Sequence, residues 1–132
     1  MNKEFARLLM TASALLLALL GLPCVFAPDI VLSRLTGTTS QAAELIVQVT
    51  GALYVGFSIL NWMAKRSLIG GIFGRPVALG NLLHFVAAGL ALLKAAPSIP
   101  TPQFIWPLAI LYALLAIGFG LVIFREPILD SE

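Results

Sequence analysis

Residues 42–64 read AAELIVQVTGALYVGFSILNWMA. A bilayer's hydrocarbon core is roughly 30 Å thick and takes about 20 helical residues to cross, so this stretch is long enough. Glu44 is its only formal charge. Its polarity is ordered: on a helical wheel Glu44, Gln48, Gly51, Tyr54, Ser58 and Asn61 share one arc, while Leu45, Ile46, Val49, Leu53, Phe57, Leu60 and Met63 fill the other. Val47 and Val55 interrupt the polar arc and Thr50 lies at its margin. Such a helix turns one side to lipid and keeps the other for protein.

Working outward, three more stretches have the same character, giving spans Leu8 to Ala27, Ala42 to Ala64, Val77 to Leu93 and Phe104 to Phe124. Between them fall breakers: Pro28-Asp29 with Thr36-Gly37-Thr38-Thr39-Ser40, then Gly70-Gly71 with Gly74-Arg75-Pro76, then Pro97, Pro100 and Pro102. The chain of 132 residues is 60% hydrophobic and 11% charged, with mean hydropathy +1.02. A water-soluble domain carries about 25% charged residues, and one of this size cannot hide so much apolar surface. The expectation is a single all-α transmembrane domain, residues 1–132, built as an up-down four-helix bundle with short loops.

Lys3, Arg7, Lys65, Arg66, Arg75 and Arg125 fall on one side of these spans, and only Arg34 and Lys94 on the other. By the positive-inside rule both termini are cytoplasmic, and the bias argues against dual insertion. A net charge of +2 with no basic run interleaved with aromatics excludes nucleic acid as a partner. Cys24 is the only cysteine, so no intrachain disulfide or cysteine zinc site forms. Residues 1–27 imitate a secretory signal, but Pro28 directly after Val25-Phe26-Ala27 disfavours cleavage, and an anchor helix is expected. Ile30 to Leu35 reads either as a short interfacial helix or as an ordinary loop, and Trp62, Trp106 and Phe73 read as aromatic-belt anchors. Pro107 is placed in the first turn of the fourth helix.

The third span sets Gly80, Asn81, His84, Ala87, Ala88 and Ala91 on one arc and Leu79, Leu82, Phe85, Val86 and Leu90 elsewhere. Small and polar residues mark helix contact faces. Depth counting pairs Asn61 with Asn81, and His84 with Ser58 or Tyr54, because unsatisfied donors are costly in hydrocarbon. Thr11, Ala14, Ala18 and Gly21 form a packing stripe in the first span, as do Ala109, Ala113, Ala116 and Gly120 in the fourth. Glu44, near the outer boundary, is either solvated or bridged to Arg34 or Lys94.

The candidate ligand-binding set is His84, Asn81, Asn61, Ser58, Tyr54, Gln48, Arg75, Lys65 and Arg66. For Asn61, Asn81, Gln48 and Ser58 the plainer use is interhelical hydrogen bonding. His84 is the one intramembrane side chain of a type that titrates near neutral pH, so it serves as core glue, relay or ligand contact. The loop from Lys65 to Pro76 puts Gly70, Gly71 and Gly74 among Lys65, Arg66 and Arg75. It lacks the ending of a Walker loop, and reads as a cradle for an anionic headgroup or phosphorylated ligand, or as a tight turn whose cations fix topology.

The first span ending near Pro28-Asp29, Gly51-Ala52-Leu53-Tyr54-Val55-Gly56-Phe57 in the second, and Asn81 with His84 in the third resemble small bacterial four-span membrane proteins and, more loosely, the DoxX-like group. That resemblance implies association with redox or quinone-linked complexes, and no residue inherits a role from it. One His and one Cys do not make a haem or iron–sulfur ligand set. Three functions remain open. The first is a non-enzymatic inner-membrane accessory subunit or lipid or quinone binder, with a polar cleft between the second and third spans and no fixed cofactor or metal. The second is a transporter or channel acting as a homo-oligomer. The third is an intramembrane enzyme with His84 as acid or base and Asn61, Asn81 or Tyr54 orienting substrate, for which no nucleophile or paired carboxylate completes a mechanism.

Overall fold

The computed structural model describes residues 3–66, 74–99 and 102–125. Among them are five α-helices and no strand: α1 (Lys3–Phe26), α2 (Pro28–Thr36), α3 (Gln41–Ala64), α4 (Gly74–Ala95) and α5 (Pro102–Arg125), with a 3-10 turn at Ala96–Ser98. Each of α1, α3 and α5 has 24 residues and α4 has 22. At 1.5 Å per residue these reach about 33–36 Å, enough to cross a bilayer. Four helices are therefore long and apolar enough to span, the set a four-helix membrane bundle requires. The mean hydropathy of the α3 span is 1.6 against 2.3 for α1, the difference reflecting the polar arc of α3.

Local chemistry explains the boundaries. α1 runs through Pro23 and breaks at Ala27, whose backbone (φ −143°, ψ 56°) is not helical. Pro28 then opens α2 where its missing N–H costs nothing. α2 ends at Gly37, whose left-handed φ of 73° lets its N–H donate to the Ser33 carbonyl at 2.9 Å. Ser40 caps α3 by accepting the Ala43 N–H at 3.3 Å. Of the two readings of Ile30 to Leu35, the helical one holds. In that helix Leu32 is buried while Ile30 and Leu35 are exposed.

Two boundaries differ from expectation. α5 starts at Pro102, which takes the first helical position, so Pro107 lies in the second turn and removes an internal hydrogen bond. α4 starts at Gly74 and runs to Ala95, placing Pro76 in its first turn and making the third span longer than the 77–93 stretch.

The chain divides into two compact units, one of residues 10–65 and one of the residues up to Leu9 with those from Arg66 onward. In the first unit α1 and α3 run antiparallel. Gln48 meets Val25, Gly51 meets Gly21, Ser58 meets Ala14 and Asn61 meets Ser13, so α3 numbers rise as α1 numbers fall. The contact extends over about 20 Å of helix. Gly51 and Ser58 of the expected polar arc are buried with Asn61, while Leu45, Ile46, Val49, Leu53, Leu60 and Met63 are exposed, as the wheel required. In α1, Ala14 and Gly21 of the packing stripe are buried, joined by Met10, Ser13 and Leu17.

In the second unit α4 packs along α5. The buried face of α4 is Gly74, Ala78, Asn81, Phe85 and Gly89. This corrects the wheel: Phe85, assigned to the far side, is fully buried, and Ala87 and Ala91 are exposed. The reason is packing volume. Phe85 fills the space between Tyr112 and Phe119, and Gly89 faces Tyr112, where an added Cβ would make an ordinary 3.5 Å contact with the tyrosine Cβ. The α5 stripe shifts likewise: Ala109 is buried, but Tyr112, Leu115, Phe119 and Val122 form the buried line.

Candidate functional site

The polar residues of α3 are held by α1. Ser58 Oγ donates to the Ala14 carbonyl at 2.7 Å. Asn61 Nδ2 donates to Ser13 Oγ at 3.0 Å, and that hydroxyl donates onward to the Met10 carbonyl at 2.9 Å. Asn61 and Ser13 are fully buried, so the hydroxyl acts as both acceptor and donor in a dry contact. At the other end of the pair Gln48, though exposed, donates through Nε2 to the Val25 carbonyl at 3.2 Å. Tyr54 is half-buried and stands against Gly21, where an added Cβ would come within 2.9 Å of the tyrosine Cβ. Ser58, Asn61 and Gln48 thus make interhelical hydrogen bonds of the kind the sequence assigned to them, and Ser13, an unremarked hydroxyl in a leucine-rich run, is the acceptor for Asn61.

In the second unit Asn81 is fully buried and its Nδ2 donates to the Val77 carbonyl at 2.9 Å. His84 is half-buried, its ring 5.0 Å from Phe85 in an edge-on arrangement and 5.6 Å from Tyr112. Phe85 in turn meets Tyr112 edge-on at 5.1 Å and stacks on Phe119 at 5.8 Å. His84 thus belongs to an aromatic cluster in which Tyr112 and Phe119 went unread in the sequence. The signal was available: residues 112, 115, 119 and 122 recur at helix-face spacing. The expected pairs Asn61 with Asn81, and His84 with Ser58 or Tyr54, join residues of different units.

Lys65 ends α3 with its Nζ 3.1 Å above the Trp62 ring, a cation–π contact at a helix end. Arg66 and Arg75 are exposed. The anion-cradle reading of the loop, and the belt reading of Phe73, depend on residues 67–73, which lie outside the described residues. Trp62 and Trp106 are about half exposed, as belt residues are. Glu44 is half-buried and makes no ion pair with Arg34, so that bridge is not formed. It lines a groove of about 460 Å³ with Pro28, Gln41, Ala42, Leu45 and Gln48. Among the described residues no group of three or more His, Cys, Asp and Glu is placed to hold a metal ion.

The fold and these sites define a small integral membrane protein whose buried polar groups join helices. Compared with models of known protein families, with curated proteins and with solved structures, the chain finds no match.

Proposed function

We propose that this chain is a small non-enzymatic protein of a bacterial cytoplasmic membrane, an accessory subunit that binds lipid or quinone. The observation supporting this reading is the use made of buried polarity. Ser58, Asn61 and Ser13 close one helix pair through hydrogen bonds, and His84 packs among aromatic rings. Phe85, Tyr112 and Phe119 are buried in this cluster and His84 is its half-buried member, the edge that a flat, apolar ring would meet. The likeness to DoxX-like proteins adds an association with quinone-linked complexes. Lys65, Arg66 and Arg75 supply cations for anionic headgroups on the cytoplasmic side.

The test is purification in polymer-bounded native membrane discs, followed by mass spectrometry of whatever co-purifies. The expected result is a quinone or anionic phospholipid retained by the parent chain and lost when Arg75→Ala and His84→Ala are combined. Ligand-free parent protein would remove the binding reading. Proton flux in liposomes that His84→Ala abolishes would replace it with transport.

A further inference from the structure

We propose that the groove between the start of α2 and the first two turns of α3 is a headgroup site for phospholipids bearing a primary ammonium. It is a separate site from the basic segment: Glu44 and Lys65 sit 21 positions apart in the chain, about 30 Å along α3. The groove has a volume of about 460 Å³ and is lined by Pro28, Gln41, Ala42, Glu44, Leu45 and Gln48.

Its chemistry is one-sided. Glu44 is the only charged residue of the lining, and no cation stands among its neighbours in the groove. Gln48 spends one Nε2 N–H on the Val25 carbonyl, leaving its side-chain oxygen and one N–H to offer a ligand. Gln41 supplies a second carboxamide oxygen and Glu44 two carboxylate oxygens. One negative charge flanked by carboxamide oxygens, with no cation in the lining, favours a cation with several N–H donors. A primary ammonium has three, while a trimethylammonium has none.

Position supplies the rest. Pro28 follows the end of α1, and Gln41 begins α3, so the groove opens where two membrane spans meet the interface. α2 lies beside it with Ile30 and Leu35 exposed, a surface for the interfacial region. Pro28, Ala42 and Leu45 line the groove with apolar surface, as a lipid site that receives the upper acyl chain along with the headgroup requires. Lipid at membrane concentration needs no high affinity; a few-fold preference over the bulk lipid populates the site.

The experiment uses the full chain reconstituted in nanodiscs of equal phosphatidylethanolamine, phosphatidylcholine and phosphatidylglycerol, with retained lipids counted by native mass spectrometry. The parent chain should enrich phosphatidylethanolamine over phosphatidylcholine by about threefold to fivefold, the size one partly exposed charge-assisted contact gives. Glu44→Gln should bring the ratio to one, Gln41→Leu should lower it partway, and Glu44→Lys should shift the preference to phosphatidylglycerol. Arg75→Ala with His84→Ala should leave the ratio unchanged, which keeps failure of this site distinct from failure of the lipid-or-quinone reading above. Equal retention of the two zwitterionic lipids by the parent chain, or an undiminished ratio in Glu44→Gln that retains the parent's helicity, overturns the proposal.

Discussion

Gly21 and Gly51 meet backbone to backbone: a Cβ built on either glycine comes within 2.9 Å of the other's carbonyl oxygen. The Gly51 Cβ would also lie 2.6 Å from the Cβ of Cys24 and 2.9 Å from the Val25 amide nitrogen. These are backbone and Cβ atoms, which cannot swing aside as a side-chain tip can. The approach brings α1 and α3 close enough for the hydrogen bonds on either side of it, from Gln48 to Val25 and from Ser58 to Ala14. In a bilayer, where lipid tails are as apolar as leucine, close backbone packing of this kind is a main force holding helices together.

Gly51→Ala should therefore loosen α1 from α3 by about 1–3 kcal/mol, the usual cost of overpacking. Gly56→Ala provides the contrast, since nothing lies within 4 Å of its Cβ position. That change should be neutral or gain up to about 1 kcal/mol of helix propensity. Cys24, the only cysteine, packs beside Gly51 and reports on the contact. Alkylation of its thiol by a membrane-permeant maleimide should speed up in Gly51→Ala and stay at the parent rate in Gly56→Ala. Equal rates in the two variants would show that the glycine contact does not hold the helices.

The Ser13–Asn61 bond predicts a measurable coupling. A double-mutant cycle with Ser13→Ala and Asn61→Ala, read by unfolding in detergent, should give about 0.6 kcal/mol, rising to no more than about 1.7 kcal/mol. Ser13→Ala alone should cost more than its size suggests, because it removes both the bond from Asn61 and the hydroxyl's own bond to the Met10 carbonyl. Additive single effects would mean that the hydrogen bond contributes nothing beyond the bonds available in the unfolded membrane state.

How far the sequence could be read divides along physical lines. The four spans and the lipid-facing side of α3 were legible because hydropathy and helical period are properties of one segment alone. Leu45, Val49 and Leu53 had to face outward once Ser58 and Asn61 faced in. The face of α4 was legible only in part: Asn81 falls on the buried side as its polarity predicts, but Phe85, which hydropathy cannot tell from its apolar neighbours, is turned in by its ring contacts with Tyr112 and Phe119. In a bilayer an exposed leucine and a buried one differ little in transfer energy, so burial is decided by fit. Ser13 was missed for a related reason: a single hydroxyl among leucines gives no period to detect. Pro28 and Glu44 were read separately, and only folding of Ile30–Leu35 as a helix brings them to one groove.

The aromatic cluster should behave as a coupled unit. Phe85 contacts His84, Tyr112 and Phe119, so it is the shared member of three ring pairs. A cycle pairing Phe85→Leu with Tyr112→Leu should give a coupling of about 0.5–1.5 kcal/mol, the value of an edge-to-face pair beyond its area. Phe124→Leu is the control, since that ring is 80% exposed, and it should move stability by no more than about 0.5 kcal/mol. A cycle that closes at zero would reduce the cluster to ordinary apolar filling.

Orientation is the last expectation open to direct measurement. Six of the eight basic residues, Lys3, Arg7, Lys65, Arg66, Arg75 and Arg125, lie on the side assigned to the cytoplasm, leaving Arg34 and Lys94 outside. In a Cys24→Ser background, Arg34→Cys and Lys94→Cys should react with an impermeant maleimide added to intact cells, whereas Arg66→Cys and Arg75→Cys should react only after permeabilisation. Each of these four positions is exposed, so access is set by the membrane and not by burial. The reverse pattern would invert the protein and carry the Glu44 groove to the cytoplasmic leaflet. Labelling of all four in intact cells would signal dual insertion, which the charge bias argues against.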